Sequence, residues 1–244
     1  MTTVVFAGPS LGRVAAPGIE LRAPARCGDI MRAAAAGAAR IGLIDGAFEE
    51  TASVWPKEIL WALSRGVAVC GAASMGALRA VELAPFGMVG VGRVFRAYAR
   101  GTIRDDDEVA VLHGPAEAGW PVLSEAMVNI RATLARAQRL GVVDRATAGA
   151  VVAAAKALHY KERSYEAAFE AAGAAGAARA AIAPLARWVA GNRADVKRED
   201  ARLLLRAVAA ARPPARRPAF VATTFWHELE LRCAIDRAAQ RRAR

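Results

Sequence analysis

The sequence predicts an α/β protein with a parallel sheet in its N-terminal half and an α-helical C-terminal region. Over about the first eighty residues, apolar runs alternate with amphipathic segments in the order strand, helix, strand, helix, strand, helix. That alternation is typical of a parallel sheet with crossover helices. From about residue 124 the chain is alanine-rich and helical in pattern. We therefore expect an α/β core domain over residues 1–123 and a helical, basic region over 124–244.

Three buried strands are predicted in the first half, at 3–7 (TVVFA), 41–45 (IGLID) and 67–72 (VAVCGA). Helices are predicted at 29–37, where Asp29 can cap and Gly37 can stop the helix, at 55–66, where proline stands in the first turn, and at 74–83. A further strand is predicted after the acidic run, in DDDEVAVLHGP at 105–115. The second half predicts helices near 124–140, 143–158, 161–172, 177–190, 195–211 and 222–241.

Composition excludes some classes of protein and favours an acidic partner. The 55% hydrophobic content supports a core, and the absence of a long uncharged apolar run or signal peptide predicts a cytoplasmic protein without a membrane partner. Three widely spaced cysteines indicate neither a disulfide framework nor a zinc site. The net charge is +11, yet only four of the 34 basic residues are lysines, at positions 57, 156, 161 and 197. Unlike arginine, a lysine can lose its proton and act as a base.

Polar residues follow each predicted strand: Ser10 the first, Asp45 the second and Ser74 the third. The carboxyl ends of parallel strands share one edge of a sheet, where ligands bind. Lys57, in the first turn of the helix after the second strand, is expected to face the same edge. The topology therefore predicts that four polar groups converge.

Ser74, in CGAASMGALRAVEL at 70–83, admits three interpretations: a helix cap, part of an anion cradle, or a nucleophile. A serine on a tight strand-to-helix turn, between Gly71 and Gly76, can present its hydroxyl while the first helix amides point toward an oxyanion. A nucleophilic serine needs a base. Lys57 fits, because the helix dipole and neighbouring tryptophans lower an amine pKa, although pairing with Asp45 explains this lysine equally well.

Other motifs in the sequence give only weak support for phosphate binding or metal binding. GPS at 8–10, the turn at 71–76 and GMVGVG at 87–92 could bind phosphate through backbone amides, but none matches a P-loop or a dinucleotide fingerprint. The run Asp105 to Glu108 lacks a second ligand cluster, so we expect a solvated turn, or a carboxylate that orients Lys57 or an arginine, and no metal. Aromatics are sparse around the C-terminal arginines, so nucleic acid is not expected as a partner.

Seven blocks in order resemble the core of the TfuA-like proteins, over roughly residues 3–135. They are GPSL at 8–11, IGLIDGAF at 41–48, VWPKEIL at 54–60, GAASMGALRAVEL at 71–83, FGMVGVG at 86–92, DDDEVAV at 105–111 and VNIR at 128–131. In the helical remainder, VKREDA at 196–201 also resembles the family. Such proteins accompany YcaO enzymes, which activate a peptide amide for conversion to a thioamide.

The resemblance implies a hydrolase with a Ser-Lys pair that releases sulfide from the C-terminal thiocarboxylate of a ThiS-like sulfur carrier, without metal or organic cofactor. The pair falls on Ser74 and Lys57, with Ser10 as the reserve nucleophile. The amides of Met75 and Gly76 are expected to hold the oxyanion, and Gly8, Ser10 and Asp45 to complete the substrate site. The family often has a histidine where this chain has Pro56.

Two other functions remain open from the sequence. One is a non-catalytic adaptor that brings substrate peptide to YcaO. The other is a regulator that binds a nucleotide or nucleic acid. Sulfide release from a thiocarboxylated carrier separates the hydrolase from both.

Overall fold

The computed structural model, which describes residues 2–49 and 51–242, confirms the predicted fold class. Five strands form one parallel sheet in the order β2-β1-β3-β4-β5. In register, Val4 of the first strand lies opposite Ile41, and Ile41 opposite Val69. The strands are β1 (Thr2–Phe6), β2 (Glu20–Arg22), β3 (Ala38–Leu43), β4 (Ala68–Ala72) and β5 (Val89–Val91).

The three apolar runs predicted as strands form β1, β3 and β4, the buried centre of the sheet. The edge strands β2 and β5 were not predicted, because three residues are too short to show a period. The strand predicted after the acidic run is wrong: Asp106–Glu108 is a 3-10 turn, and the segment after it makes only an isolated bridge between His113 and Val122. Its apolar residues Val109 and Ala110 are buried by the surrounding helices without joining the sheet.

The described residues form ten α-helices, and all six helices predicted in the second half are present. They are α1 (Asp29–Ala35), α2 (Pro56–Ser64), α3 (Met75–Leu83), α4 (Gly92–Ala99), α5 (Met127–Arg139), α6 (Arg145–Ala157), α7 (Tyr165–Ala174), α8 (Arg179–Asn192), α9 (Val196–Ala209) and α10 (Thr224–Arg242). In the part of the chain covered by the structure, no helix has the length and apolar character to cross a membrane.

Helices cover both faces of the sheet. Ile30, Ile59 and Leu63 from α1 and α2 pack with strand residues on one face. On the other face, Leu204 and Val208 of α9 form a core cluster with strand residues. Helices α5 to α8 have a core of their own. Thus α9, although it belongs to the helical C-terminal region, completes the core of the sheet and brings its first turn to the sheet's carboxyl edge.

Candidate functional site

Ser74 lies on a tight turn between β4 and α3, as predicted. Ala73 adopts a left-handed conformation with φ of 65°, which is uncommon for a residue with a Cβ atom. Ser74 occupies the N-cap position, but its side chain accepts no capping hydrogen bond. Its hydroxyl is therefore available for chemistry rather than committed to the helix end.

The two glycines that flank Ser74 are required by close backbone packing. A Cβ atom at Gly76 would lie 1.8 Å from the carbonyl oxygen of Leu43, and one at Gly71 would lie 2.1 Å from that of Gly76. The Gly76 amide donates to the carbonyl oxygen of Ile44 at 3.1 Å, so it is already engaged. Within the described residues, the Met75 amide makes no such bond. Of the two amides predicted to hold an oxyanion, Met75 is the one that can donate.

Asp45 binds the loop after β1 to the end of β3. It is 3% exposed, and its carboxylate accepts hydrogen bonds from the Gly8 amide at 2.8 Å, the Ser10 amide at 3.1 Å and Ser10 Oγ at 2.6 Å. Of the four polar groups predicted to converge at this edge, Ser10 and Asp45 are therefore in contact, and the Gly8 amide joins them. Ser10 is buried with its hydroxyl bound to a carboxylate, which supports a structural role for it.

A cavity of about 580 Å³ opens over this edge, and Ser74 and Asp45 both line it. Its walls include aromatic side chains and basic groups from several loops: Phe48, Trp120, Tyr160, Arg22, Arg26, Arg32, Lys161 and His113. The His113 ring packs edge-on against Trp120 with centroids 5.2 Å apart. The cavity is large enough for the end of a peptide chain and too small for a folded protein.

Loops from both halves of the chain meet at the mouth of this cavity. The Tyr160 hydroxyl donates to Glu49 at 2.8 Å, and Lys161 forms an ion pair with the same carboxylate at 3.1 Å. These hydrogen bonds from Tyr160 and Lys161 hold the pKa of Glu49 below its ordinary value. Phe48 packs edge-on against Tyr160.

Lys57 does not line the cavity of Ser74. Its Nζ atom donates to Thr223 Oγ1 at 3.0 Å and lies 5.6 Å from the centre of the Phe220 ring. It lines a separate, open depression with Trp55 and Leu60, because the first turn of α2 faces the segment before α10 rather than the strand edge. The alternative pairing with Asp45 is not among the ion pairs of the described residues either. Its part in catalysis stays a prediction.

Lys197, in the first turn of α9, is a buried lysine that lines the same cavity as Ser74 and Asp45. It is 4% exposed, and its Nζ atom donates to the carbonyl oxygen of Val109. Burial lowers the pKa of this amine, while the charge of Asp45 acts in the opposite direction. Sequence reasoning missed this residue as a site, although two signals pointed to it: lysine is rare in this chain, and VKREDA resembled a family block.

Acidic residues within VKREDA and next to it fix the position of Lys197. Asp195 caps α9, accepting from the Arg198 amide at 3.0 Å. Asp200 accepts from the amides of Arg93 and Val94 at 2.8 and 2.7 Å and so caps α4. Burial raises the pKa of Asp200, and the two amide bonds partly offset this effect. Asp200 thereby attaches the helix that carries Lys197 to α4.

The acidic run joins the core to the helical region and holds no metal-type cluster. Asp107 pairs with the buried Arg163 at 2.7 Å and with Lys156. Glu108 accepts two hydrogen bonds from Arg131, at 2.9 and 2.7 Å. Within the described ranges, no group of three or more histidine, cysteine or acidic residues could hold a metal ion. The interpretation that an acid of this run orients an arginine is therefore correct.

Comparison with known protein families gives a match. A family model described as TfuA-like protein matches residues 45–164. This span contains Asp45, Ser74 and Tyr160, whereas Ser10 and Lys197 lie outside it. No curated protein matches the chain.

Proposed function

This chain is a TfuA-like protein, a family associated with YcaO-type enzymes and peptide thioamidation, and we propose that it is the sulfide-releasing hydrolase of such a system. Its substrate is the C-terminal thiocarboxylate of a ThiS-like carrier protein. The observation that carries the proposal is that Ser74 and the buried Lys197 line one cavity over the carboxyl edge of the sheet.

Lys197 supports the proposal better than Lys57 as the base. A lysine accepts a proton only when it is neutral, and burial favours the neutral form. Lys197 is buried with its pKa lowered, and it faces the cavity of Ser74. Lys57 is bound to Thr223 beside a different depression. The resemblance to the family supplies the Ser-Lys pair, and the geometry favours Lys197 as its second member.

The reaction follows from these groups. Neutral Lys197 takes the proton of Ser74, and Oγ forms a bond to the thiocarboxylate carbon, while the Met75 amide donates to the oxyanion. The C–S bond then breaks, and the sulfur leaves as hydrosulfide with the electron pair and with the proton from Lys197, which is neutral again. A water molecule, whose proton passes to the same lysine, hydrolyses the ester to a carboxylate and restores Ser74. No step requires a redox reagent.

Charge and shape also fit an anionic protein terminus. The cavity wall carries Arg22, Arg26, Arg32 and Lys161, which outnumber the two acids that also line it, Asp29 and Asp45. The net charge of the chain is +11, which favours encounter with an acidic carrier. The size of the cavity lets the last residues of the carrier enter while its folded body stays outside.

Incubation of the pure protein with a thiocarboxylated carrier, with sulfide measured over time, tests the proposal. We expect Ser74→Ala and Lys197→Met each to lower the rate by about 10²-fold or more. Lys57→Met, a matched control at a half-buried lysine outside this cavity, should retain most activity. Equal rates of sulfide release in wild type and Ser74→Ala would overturn the serine mechanism. Loss of sulfide release in Lys57→Met but not in Lys197→Met would identify Lys57 as the base. A wild type without any release would favour the adaptor function.

A further inference from the structure

Two thiols line a second cavity, of about 420 Å³, between α1 and α10. They are Cys27, just before α1, and Cys233, on α10. The two lie at opposite ends of the sequence, so any bond between them would join the last helix to the α/β core. The third cysteine, Cys70, is buried in β4 and lines neither cavity.

The sulfur of Cys233 lies beside the backbone next to Cys27. A Cβ atom on Gly28 would be 2.7 Å from Cys233 Sγ, and Gly28 directly follows Cys27. α10 is held against this segment by Trp226 and Leu229, which pack with Met31 of α1. The neighbourhood of the thiols is thus set by a packed apolar core rather than by a surface contact.

The two thiols have different surroundings. Cys233 Sγ accepts a hydrogen bond from Arg32 Nη1 at 3.1 Å, and a neighbouring guanidinium favours a thiolate. Burial, together with the nearby carboxylate of Glu58, raises the pKa of Cys27 to about 12. Cys233 is buried but lines the cavity beside this guanidinium, so it is suited to react first with a small oxidant that enters the cavity, and Cys27 to react second.

We propose that Cys27 and Cys233 form an oxidation site, in which hydrogen peroxide converts the two thiols to a disulfide that ties α10 to the start of α1. In the first step, Cys233 sulfur bonds to a peroxide oxygen, the O–O bond breaks, and water leaves. In the second step, the Cys27 sulfur attacks the sulfenic sulfur of Cys233 and the S–O bond breaks. The proton of Cys27 passes through the nearby carboxylate of Glu58 to the leaving hydroxide, which departs as water. Two thiols and one peroxide thus give one disulfide and two waters.

The site adjoins the cavity of Ser74, because Arg26, Thr51 and Arg32 line both cavities. Oxidation changes the sulfur of Cys233 that Arg32 contacts, and Arg32 belongs to the wall that the two cavities share. The proposal does not depend on the hydrolase function, since it concerns only the thiols and their bond.

The test uses the full chain, treated with hydrogen peroxide under native conditions, blocked with an alkylating agent and digested without reductant. We expect a Cys27–Cys233 linked peptide to become the main cysteine-containing product, with Cys70 recovered as the alkylated thiol after unfolding. Cys70→Ala should still form the link, and Cys27→Ser should not. Recovery of unlinked Cys27 and Cys233 from the oxidised wild type would overturn the proposal.

The role of Arg32 has a separate readout. Arg32→Gln should slow formation of the link by about 10-fold, the change expected when the pKa of the attacking thiol rises by about one unit. Circular dichroism of Arg32→Gln checks that its fold is kept. An unchanged rate in a folded Arg32→Gln protein would show that Arg32 does not activate Cys233. The disulfide itself is tested by the linked peptide from the wild type.

Discussion

Lys197 donates from Nζ to the carbonyl oxygen of Val109, which holds a buried amine on the wall of the cavity that Ser74 lines. Because burial lowers the pKa of Lys197, its neutral form is present at lower pH than for a lysine in water. We predict that sulfide release rises with pH through this lowered pKa and then levels off. The measurement is kcat/KM against pH for wild type and Lys57→Met, which should give the same curve. A rise centred at the ordinary lysine pKa would contradict the assignment.

Lys197 should also make the stability of the protein depend on pH. Since its pKa is lowered in the folded state, the cost of charging it is absent above the pKa of unfolded lysine and grows as pH falls toward the folded pKa. Lys197→Met should therefore raise the free energy of unfolding at neutral pH and change it little above about pH 11. Urea unfolding at both pH values checks this. Equal effects at the two values would show that the amine is charged in the folded protein.

Asp45 and Ser10 should separate structure from chemistry. Asp45→Asn places an amide group where the carboxylate accepts three hydrogen bonds, so we expect a loss of about 1–3 kcal/mol in the free energy of unfolding. Ser10→Ala should keep most sulfide release, because this hydroxyl is buried and bound to Asp45. Urea unfolding and the sulfide assay measure the two effects. Ser10→Ala as inactive as Ser74→Ala, in a folded protein, would identify Ser10 as the nucleophile.

The turn that carries Ser74 should not tolerate a side chain at Gly76. A Cβ atom there would lie 1.8 Å from the carbonyl oxygen of Leu43 in β3, and this backbone cannot move without disturbing the sheet. Gly76→Ala should lower the melting temperature and the sulfide release together. Gly149→Ala is the matched control: nothing lies within 4 Å of its Cβ position on α6, so it should raise stability by up to about 1 kcal/mol. Similar melting temperatures for the two variants would disprove the packing argument.

The ion pair between Arg163 and Asp107 should contribute strongly to the free energy of unfolding, and this contribution should decrease at acidic pH. Burial acts to raise the pKa of Asp107, but hydrogen bonds from Lys156 and Arg163 outweigh it and hold that pKa below its ordinary value. This contribution is present above the ordinary carboxyl pKa and is lost as pH falls through the lowered one. Arg163→Met should cost about 3–5 kcal/mol at neutral pH, and less in acid. Arg193→Met, which breaks an exposed pair with Glu166, should cost under about 1 kcal/mol.

Much of the fold and part of the candidate site could be predicted from the sequence. Apolar periodicity gave the central strands β1, β3 and β4 and the helices α5 to α10, because each depends on which side chains must be buried along a local stretch. The carboxyl-edge rule brought Ser10 and Asp45 together, as their hydrogen bond shows. The structures of the edge strands and of the segment after Glu108 could not be predicted from the sequence, since these segments are short or are buried by distant elements.

By itself, the sequence determined the α/β class, the turn that presents Ser74 and the family to which the chain belongs. Only the tertiary structure decided which buried lysine shares a cavity with Ser74. Closeness in sequence to the strand edge favours Lys57, whereas Lys197 reaches that edge because α9 folds back over the sheet and buries Leu204 and Val208 there. Local patterns set which face of a helix is apolar, but the place where that face docks depends on long-range packing, and so does the solvent exposure that sets an amine pKa.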